Sequence, residues 1–312
     1  MSTFSIMTWN VENLFLVGDE SGPATKEIFE EKQVNLAATI STFGPDVVAL
    51  QEIGRPAAAE DLQARLNGAY PHLLLANHPD PRHIRVGFLS KHPLQAVHEL
   101  FKFPDAALST IPGPESAPIT RMGRGALKVT VEPKNNVQIN LVTVHLKSKL
   151  VTYANGRRFP HDENERARGA GLALAKRAAE AVALRVFVNG LVAGNDRPLI
   201  LLGDLNDEPN AVTTTLLLGP EDGSVQREDK GDDVRLYNLA EKITAERRYS
   251  RVYKKRKELI DHILATKDLF VRTRSIDSLV EPIEPIDEST EKRRSANFPD
   301  HAPVLARFDL DV

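Results

Sequence analysis

Cysteine is absent from this sequence of 312 residues, so neither a disulfide bond nor a thiolate metal site can form. No run reaches the roughly 20 apolar residues that cross a bilayer, and the first ten residues lack the basic region and long apolar core of a signal peptide. An excess of charge is also missing, because 40 basic residues against 43 acidic ones give a net charge of -3. That balance excludes a globally basic nucleic-acid binder but leaves room for a local positive groove. We therefore expect a cytoplasmic protein without membrane insertion.

The composition is that of an ordinary globular protein. Hydrophobic residues make up 41% of the chain and charged residues 27%, which is too apolar for a disordered protein. The length permits two domains or one large layered domain. We find no internal repeat, coiled coil or low-complexity tract, and nothing in the sequence indicates an obligate protein partner.

The most informative stretch covers residues 199–207, Leu-Ile-Leu-Leu-Gly-Asp-Leu-Asn-Asp. Its four consecutive apolar residues predict a strand that is buried on both faces and ends at Gly203. Asp204 and Asn206 follow, and side chains two apart on an extended chain point the same way, so both are expected to face one spot. A turn that merely ends the strand is the ordinary alternative. A charge at the mouth of a buried strand is costly without a partner, which favours a functional role.

Hydrophobic periodicity predicts alternating strands and helices along the whole chain. Strands are predicted at residues 4–9, 46–52, 73–76, 84–90, 126–131, 137–144, 199–202, 248–253, 259–265 and 300–308. Helices are predicted at residues 25–43, 57–66, 163–192 and 209–218. Residues 103–120, 221–233 and 280–297 are predicted loops. The strands at 248–253 and 259–265 are interpreted as one hairpin around the basic turn 254–257.

Polar side chains stand at the ends of six of the predicted strands. They are Asn10, Glu52, His145, Asp204 with Asn206, Asp261 with His262, and Asp300 with His301. Each is unremarkable alone, since an asparagine after a strand is typically a turn residue. Together they are hard oxygen donors and imidazoles, and carboxylate and amide oxygens are the ligands that Mg²⁺ or Mn²⁺ prefers. The set predicts a magnesium or manganese site with positions left for water and a phosphate oxygen.

Six short motifs carry a resemblance to a known family. They are Thr-Trp-Asn10, Leu-Gln-Glu52, Val-His145-Leu-Lys-Ser, Gly-Asp204-Leu-Asn206, Ile-Asp261-His-Ile-Leu and Asp300-His301-Ala-Pro-Val. In order and rough spacing the chain resembles the endonuclease/exonuclease/phosphatase superfamily of DNase I-like phosphoesterases, over residues 3 to about 310. The resemblance implies a four-layer α/β sandwich, with two mixed β-sheets packed face to face and flanked by helices. Because motifs near both ends share one site, it also implies a single domain over residues 1–312.

The resemblance also implies a metal-binding set. Glu52 corresponds to the residue that holds the catalytic Mg²⁺, Asn10 assists directly or through water, and Asp300 completes the set. The chain departs from the family pattern at Pro299, where serine is usual, which puts one hydrogen bond near the site in doubt. His262 faces the opposite way from its neighbour on the predicted strand and is interpreted as structural.

Catalytic roles follow from the same resemblance. Asp204 and Asn206 are expected to position the attacking water and a phosphate oxygen, and His301 is the matching catalytic imidazole. Asp261 is expected to orient that ring and raise its basicity. His145 would donate to the phosphate or to the leaving oxygen. Whether Asp204 or His301 takes the proton from water is left open at this point.

Two basic clusters adjoin these motifs and are expected at the mouth of the site. The first contains Lys147, Lys149, Arg157 and Arg158, and the second spans Lys254 to Lys257. The candidates for substrate contact are Lys147, Lys149, Arg157 and Lys254. They could follow a nucleic-acid backbone, hold a single inositol polyphosphate head, or be solvated loops.

The predicted chemistry is metal-dependent hydrolysis of a phosphoester, in which the metal withdraws charge from the phosphoryl oxygens and a side chain activates water. The first hypothesis is a Mg²⁺-dependent phosphodiesterase with DNA or RNA as its substrate and partner. The second is a phosphatase or a lipid phosphodiesterase on the same scaffold. The third is an inactive binding module, and the presence of Glu52, Asp204 and His301 argues against it.

Overall fold

Two six-stranded sheets form the centre of the protein. The computed structural model describes residues 2–104, 118–134, 136–151, 153, 157, 159–195, 197–220, 231–281, 283 and 293–311. The first sheet consists of β1 (Thr3–Leu14), β2 (Val47–Ile53), β3 (His72–Leu75), β4 (Arg85–Ser90), β13 (Thr273–Ser278) and β14 (Val304–Asp309), in the order β13-β14-β1-β2-β4-β3. The second consists of β5 (Gln95–Lys102), β6 (Arg121–Lys134), β7 (Val137–His145), β8 (Leu199–Asp204), β9 (Tyr237–Asn238) and β12 (Asp261–Ala265), in the order β5-β6-β7-β8-β12-β9. Both sheets are mixed, since β1 and β2 run parallel, as do β7 and β8.

Helices cover the outer faces of both sheets. α1 (Lys26–Phe43) and α2 (Pro56–Arg65) pack on the first sheet, and α3 (Glu163–Val192) and α4 (Val212–Leu218) pack on the second. The short helix α5 (Lys267–Val271) and the 3-10 turn at Leu239–Lys242 add apolar residues to the core between the sheets, and a second 3-10 turn lies at Ala245–Arg247. The Thr25 side chain accepts a hydrogen bond from the Ile28 amide at the start of α1, and Gly44 ends that helix in a left-handed conformation. The Asp162 side chain caps α3 in the same way. None of the helices among the described residues is both long and apolar enough to cross a membrane.

Alternation along the strands produces three apolar layers. On β8, Ile200 and Leu202 pack between the sheets, whereas Leu199 and Leu201 pack on the side of α3. On β1, Phe4 faces the other sheet and Met7 packs on the side of α1. The two sheets with helices outside confirm the predicted four-layer α/β sandwich.

The topology brings the ends of several strands to one edge of the sandwich. Asn10 pairs with Gln51 across the parallel strands β1 and β2, and His145 pairs with Asp204 across β7 and β8. The chain's two ends also meet, because Thr3 pairs with Asp309. Residues that are far apart in sequence are therefore placed side by side.

The predicted hairpin of residues 248–253 with 259–265 is wrong. Instead β10 (Arg251–Tyr253) pairs with β11 (Arg256–Glu258), while β12 pairs with β8. The reason is a tighter turn than expected, because Lys254 and Lys255 both have left-handed φ values, 47° and 65°. The apolar residues of β12 are then free to join the second sheet.

Other differences concern the limits of strands. Neither β5 nor β13 was anticipated from periodicity, because both are largely exposed edge strands with mixed composition. The last strand begins at Val304 rather than at residue 300, so Asp300 and His301 precede it. Residues 105–117, 221–230 and 284–292, which belong to the three predicted loops, lie outside the described residues.

Gly203 is required where it stands in β8. Its φ is 143°, and a Cβ atom there would lie 2.0 Å from the Val144 carbonyl oxygen. We expect Gly203→Ala to lower the free energy of unfolding by at least about 2 kcal/mol, because both the backbone angle and the contact oppose a side chain. Urea denaturation measures the effect.

Gly171 is the matched control for this substitution. It lies within α3 with nothing within 4 Å of an added Cβ, so Gly171→Ala should stabilise the protein by about 0.5–1 kcal/mol. Equal effects of the two substitutions on the free energy of unfolding would contradict the packing argument.

Candidate active site

Three polar side chains form one row across the second sheet. His145 is the register partner of Asp204, and Asp204 is also the partner of Asp261 on the other side. Directly paired residues point to the same face of a sheet, and here that face is turned toward the first sheet. All three side chains are buried. The His145 Nε2 atom lies 3.3 Å from Asp204 Oδ2.

The first sheet adds Asn10 and Glu52 to this row. The Asn10 Nδ2 group donates to Glu52 Oε1 at 3.2 Å and to Asp204 Oδ2 at 3.0 Å, so one amide joins the two sheets. Its oxygen accepts from the Glu12 amide at 2.9 Å, and the Asn13 amide donates to Glu52 Oε2 at 2.9 Å. Asn10 therefore presents its nitrogen, and not its oxygen, to the carboxylates.

Glu52 reaches the site through an unusual backbone. Strict alternation would place it on the helix side with Val48 and Leu50. However, Glu52 has a left-handed φ of 62°, and the pairing register shifts between Leu50 and Ile53. This irregularity turns its carboxylate toward Asn10.

His301 and Asp261 form a tightly bonded pair. His301 Nδ1 lies 2.7 Å from Asp261 Oδ2, and the buried Ser250 hydroxyl donates to the same oxygen at 2.6 Å. Ser250 Oγ in turn accepts from the Asp261 amide at 3.2 Å. The Trp9 indole donates to the His301 carbonyl oxygen at 2.9 Å, which holds the backbone of the histidine. The imidazole is thus fixed from both the side chain and the main chain.

Charge in this cluster is arranged unevenly. Burial lowers the pKa of His301, but the carboxylates Asp261, Asp300 and Asp204 outweigh it and raise this pKa to about 10. Burial, followed by the charge of Asp261, raises the pKa of Asp204 to about 7. Burial and the nearby cation Arg124 lower the pKa of His145 well below its usual range. At neutral pH His301 is an imidazolium and His145 is neutral.

Asn206 lies beyond the end of β8. Because β8 ends at Asp204 and Asn206 has a φ of 54°, the chain is not extended at Asn206, and the alternation of an extended strand does not apply to it. The Asn206 amide donates to Asp204 Oδ1 at 2.8 Å, while its side-chain Nδ2 donates to the Leu146 carbonyl oxygen at 3.0 Å. Asn206 thus holds the Asp204 carboxylate through its backbone.

Asp300 stands at the rim of the cluster. Its amide donates to Glu12 Oε2 at 3.1 Å, and its Oδ1 atom lies 4.0 Å from His301 Nε2. Glu12 is paired with Arg293, whose Nε donates to Glu12 Oε1 at 2.9 Å. Sequence reasoning did not identify Glu12, because its role depends on a partner almost the whole chain away.

The donor chemistry fits a hard divalent cation. Asp204, Asp261 and a deprotonated His301 would each offer one ligand atom within 4.8 Å of the others. Asp261 Oδ1 is buried without a hydrogen-bond partner among the residues that the structure describes. The Asp261 charge opposes the ionisation of Asp204, and an added cation would offset that repulsion. Glu52, Asp300 and Asp204 are the oxygen donors at the border between the sheets.

The sequence profile of the Endonuclease/Exonuclease/phosphatase family matches residues 7–285. The chain belongs to this family. Most of the motifs described above fall inside the matched range, and the Asp300-His301 motif follows it. A comparison with curated proteins found no match.

Solved structures share the fold at low sequence identity. The human Nocturnin catalytic domain with bound sulfate anion is 17% identical, with a TM-score of 0.61, covering 99% of this chain and 94% of that one. TDP2 from D. rerio complexed with single strand DNA product is 16% identical, with a TM-score of 0.59 and coverage of 99% and 100%. A family protein from Leptotrichia buccalis is 16% identical, with a TM-score of 0.58 and coverage of 98% and 100%. These likenesses show the DNase I-like fold.

Two of the lysines predicted to contact the substrate, Lys147 and Lys149, already have partners within the protein. Lys147 is half-buried, and its Nζ donates to the Leu150 carbonyl oxygen at 2.6 Å. Burial, followed by repulsion from Arg124, lowers the pKa of Lys147 to about 8. Lys149 Nζ lies 3.5 Å from Asp207 Oδ1.

The other basic candidates differ from each other. Arg157 pairs with Glu165, with one bond of 3.0 Å from its Nη1. Lys254 is exposed at the hairpin tip, with its Nζ 5.4 Å from the centroid of the Tyr253 ring. Arg158 lies outside the described residues. Of the four candidates, Lys254 is the one for which no carboxylate partner is found among the described residues.

His262 has the structural surroundings predicted for it. Its Nε2 lies 2.9 Å from the Asp207 carbonyl oxygen, and its Nδ1 lies 3.2 Å from Asn238 Nδ2. Both ring nitrogens are thus occupied on the face of β12 opposite to Asp261. Sequence reasoning missed Ser250 and Arg251, since the hairpin was assigned to the wrong partner strand.

Asp261→Asn should lower the pKa of His301 in the metal-free protein by at least about one pH unit. The carboxylate favours the imidazolium through its charge and its hydrogen bond, so its loss favours the neutral ring. A ¹⁵N NMR titration of the histidine rings measures this pKa. Asp268→Asn, an exposed acid that pairs with Arg272, is the control, and equal titration of His301 in both variants would contradict the pairing.

Proposed function

We propose that this protein is a Mg²⁺- or Mn²⁺-dependent phosphodiesterase that hydrolyses nucleic acid. One observation carries the proposal. Hydrogen bonds from Asn10 connect Glu52 of one sheet with Asp204 of the other, next to the His301–Asp261 pair. Family membership supports a phosphoesterase in general.

Glu52 and Asp300 would hold the metal ion, with Asp204 beside them. When bound, the ion would draw negative charge from the phosphoryl oxygens. The Asn10 side-chain oxygen already accepts a hydrogen bond from the Glu12 amide. We therefore propose that Asn10 holds the two carboxylates in position through its nitrogen, or contacts the metal only through a water molecule.

Asp204 is proposed as the group that accepts a proton from the attacking water. Its raised pKa, caused first by burial, suits a base that works near neutral pH. The water oxygen bonds to phosphorus as the bond to the leaving oxygen breaks, and solvent protonates the leaving alkoxide. The His301 imidazolium, held by Asp261, would donate to a phosphoryl oxygen, and the His145 Nε2–H would hold Asp204 in place. Asn206 supports Asp204 from its backbone amide.

The nucleic-acid part of the proposal is supported by the hairpin of β10 and β11. Lys254 and Arg251 both lie against the Tyr253 ring, and neighbouring cationic and aromatic side chains suit the backbone and bases of a single strand. The D. rerio TDP2 structure holds a single strand DNA product. Lys147, Lys149 and Arg157 would then act only after leaving their present partners.

The internal partners of these basic side chains favour a second candidate, a phosphatase or lipid phosphodiesterase on the same scaffold. Three of the four basic candidates already have partners within the protein. The remaining positive charge would suffice for a small phosphoester but not for the many phosphates of a long nucleic-acid strand. Both candidates use the same cluster. We also propose that residues 1–312 work as one domain, since the site joins residues 10 to 301. A cytoplasmic location stays a prediction.

Asp204→Ala and His301→Ala should each lower kcat on the true substrate by about 10²–10⁴-fold, because each removes a group that acts in the transition state. The assay compares a short DNA, a short RNA, a bis-nitrophenyl phosphate diester and a nitrophenyl phosphate monoester, with Mg²⁺ or Mn²⁺ and with a chelator. Asp268→Ala is the control for a surface acid. Metal-dependent cleavage of a nucleic acid supports the nuclease, cleavage of the monoester alone supports the phosphatase, and no cleavage contradicts both.

Glu52→Gln should weaken Mn²⁺ binding at least about tenfold, since it removes a charged oxygen donor from the proposed metal set. Isothermal titration of the metal-free protein measures the affinity without requiring turnover. Glu60→Gln, an exposed acid on α2, serves as the control. An unchanged affinity in Glu52→Gln would place the metal elsewhere, for example on Asp204, Asp261 and His301.

A further inference from the structure

Arg251 lies beside the proposed active site, and the mechanism proposed above gives it no part in the hydrolysis itself. It lies on β10 and forms an isolated antiparallel bridge with His301. Side chains of directly opposed residues in an antiparallel pair lie on the same face. The Arg251 side chain therefore extends on the face that carries the His301 imidazole.

The guanidinium of Arg251 has a hydrogen-bond donor without a partner among the described residues. This donor is the Nε group, which is buried. The nearest carboxylate oxygen, Asp300 Oδ2, lies 3.9 Å from that nitrogen, which is beyond hydrogen-bond distance. A charged donor that is removed from water without an acceptor is costly, so this arrangement favours an anion that supplies the acceptor.

Two other arginines, Arg247 and Arg293, use their hydrogen-bond donors inside the protein. Arg247 donates from Nε to Asp277 at 2.7 Å, and its remaining nitrogens bond to Glu281 and to the Ser278 carbonyl oxygen. Arg293 is paired with Glu12 in the same way. Arg251 differs from both, because its one acidic neighbour is too distant for a hydrogen bond.

The Tyr253 ring holds the guanidinium in place. The Arg251 Cζ atom lies 4.9 Å from the centroid of that ring, a distance at which a cation and an aromatic face attract each other. A planar fork that is already oriented loses little entropy when it binds two oxygens. The side chain is 23% exposed, so a substrate can reach the fork from the open side.

From these contacts we infer that Arg251 binds the scissile phosphate of the substrate through its non-bridging oxygens. The inference rests on the proposed function, and it names a phosphate-binding residue for that same site. Arg251 lies beside Asp300, which is proposed to hold the metal, and beside His301, which is proposed to face the phosphoryl group. In addition to the metal ion, the Arg251 guanidinium would stabilise the negative charge that develops on the phosphoryl oxygens in the transition state.

The experiment compares Arg251→Gln, Arg251→Lys and Arg251→Ala with Arg274→Gln. Arg274 is an exposed arginine whose strand pairs with the far end of β14, 3.7 Å from Asp309, and serves as the matched control. We expect Arg251→Gln to lower kcat/KM by about 10²-fold on both the DNA and the bis-nitrophenyl diester. Arg251→Lys should recover only part of this loss, since lysine lacks the planar fork. Added guanidinium chloride should partly restore Arg251→Ala and leave Arg251→Gln unchanged.

A second measurement does not require turnover. Isothermal titration with inorganic phosphate, in the presence of Mg²⁺, should show an affinity at least about tenfold weaker in Arg251→Gln than in the native protein or in Arg274→Gln. Circular dichroism and thermal unfolding of each variant check that the fold is kept. If the native protein cleaves nothing, the proposed function fails, and the phosphate titration alone then decides the role of Arg251.

Three results would overturn the inference. Full activity and unchanged phosphate affinity in Arg251→Gln would show that the side chain does not bind the substrate. A loss confined to the DNA, with the small diester unaffected, would assign Arg251 to a different phosphate. Weakened Mn²⁺ binding with normal phosphate affinity would make it a positioning residue for Asp300.

Discussion

The site depends on one side-chain amide that crosses from sheet to sheet. Asn10 donates to Glu52 and to Asp204 with the same nitrogen, and a backbone amide fixes its oxygen. Without such a donor, two carboxylates facing each other in a buried gap would repel and separate. The amide carries no charge of its own, so it relieves the repulsion without cancelling the negative potential. That potential is what a divalent cation and the His301 imidazolium respond to.

The strand alternation that builds the core also builds the site. Along the inner face of β1 the side chains change from Ile6 to Thr8 to Asn10 as the strand approaches the open edge. On β2 the polar residue near the open edge is Gln51, whose side-chain amide donates to the Thr143 hydroxyl of the opposite sheet at 3.1 Å. A polar layer thus separates the apolar interior from the buried charges. This periodicity of two is visible in the sequence, which is why most of the strands and the polar ends could be predicted.

What the pattern could not predict depends on departures from regular backbone. Glu52 enters the cluster because of its left-handed φ, and Asn206 leaves the extended path for the same reason. Glu52 has no local signal for this conformation, whereas asparagine at 206 tolerates it but does not require it. Ser250 and Arg251 reach the site only because β10 pairs with β11 and so leaves β12 to the second sheet. That choice between partner strands is made by burial across the whole molecule and not by the local sequence.

The raised pKa of Asp204 and that of His301 have one physical origin. Burial and the Asp261 carboxylate both resist the ionisation of Asp204, and the same carboxylates favour the imidazolium of His301. A fold selected for stability alone would replace such a group of buried acids with apolar side chains, because paired buried charges seldom repay their desolvation. Here Asp204, Asp261, His145 and His301 lie together next to Arg251, whose Nε has no hydrogen-bond partner among the described residues. A cation among the carboxylates would reduce their mutual repulsion, an anion would supply an acceptor to the arginine, and a metal-bound phosphate provides both.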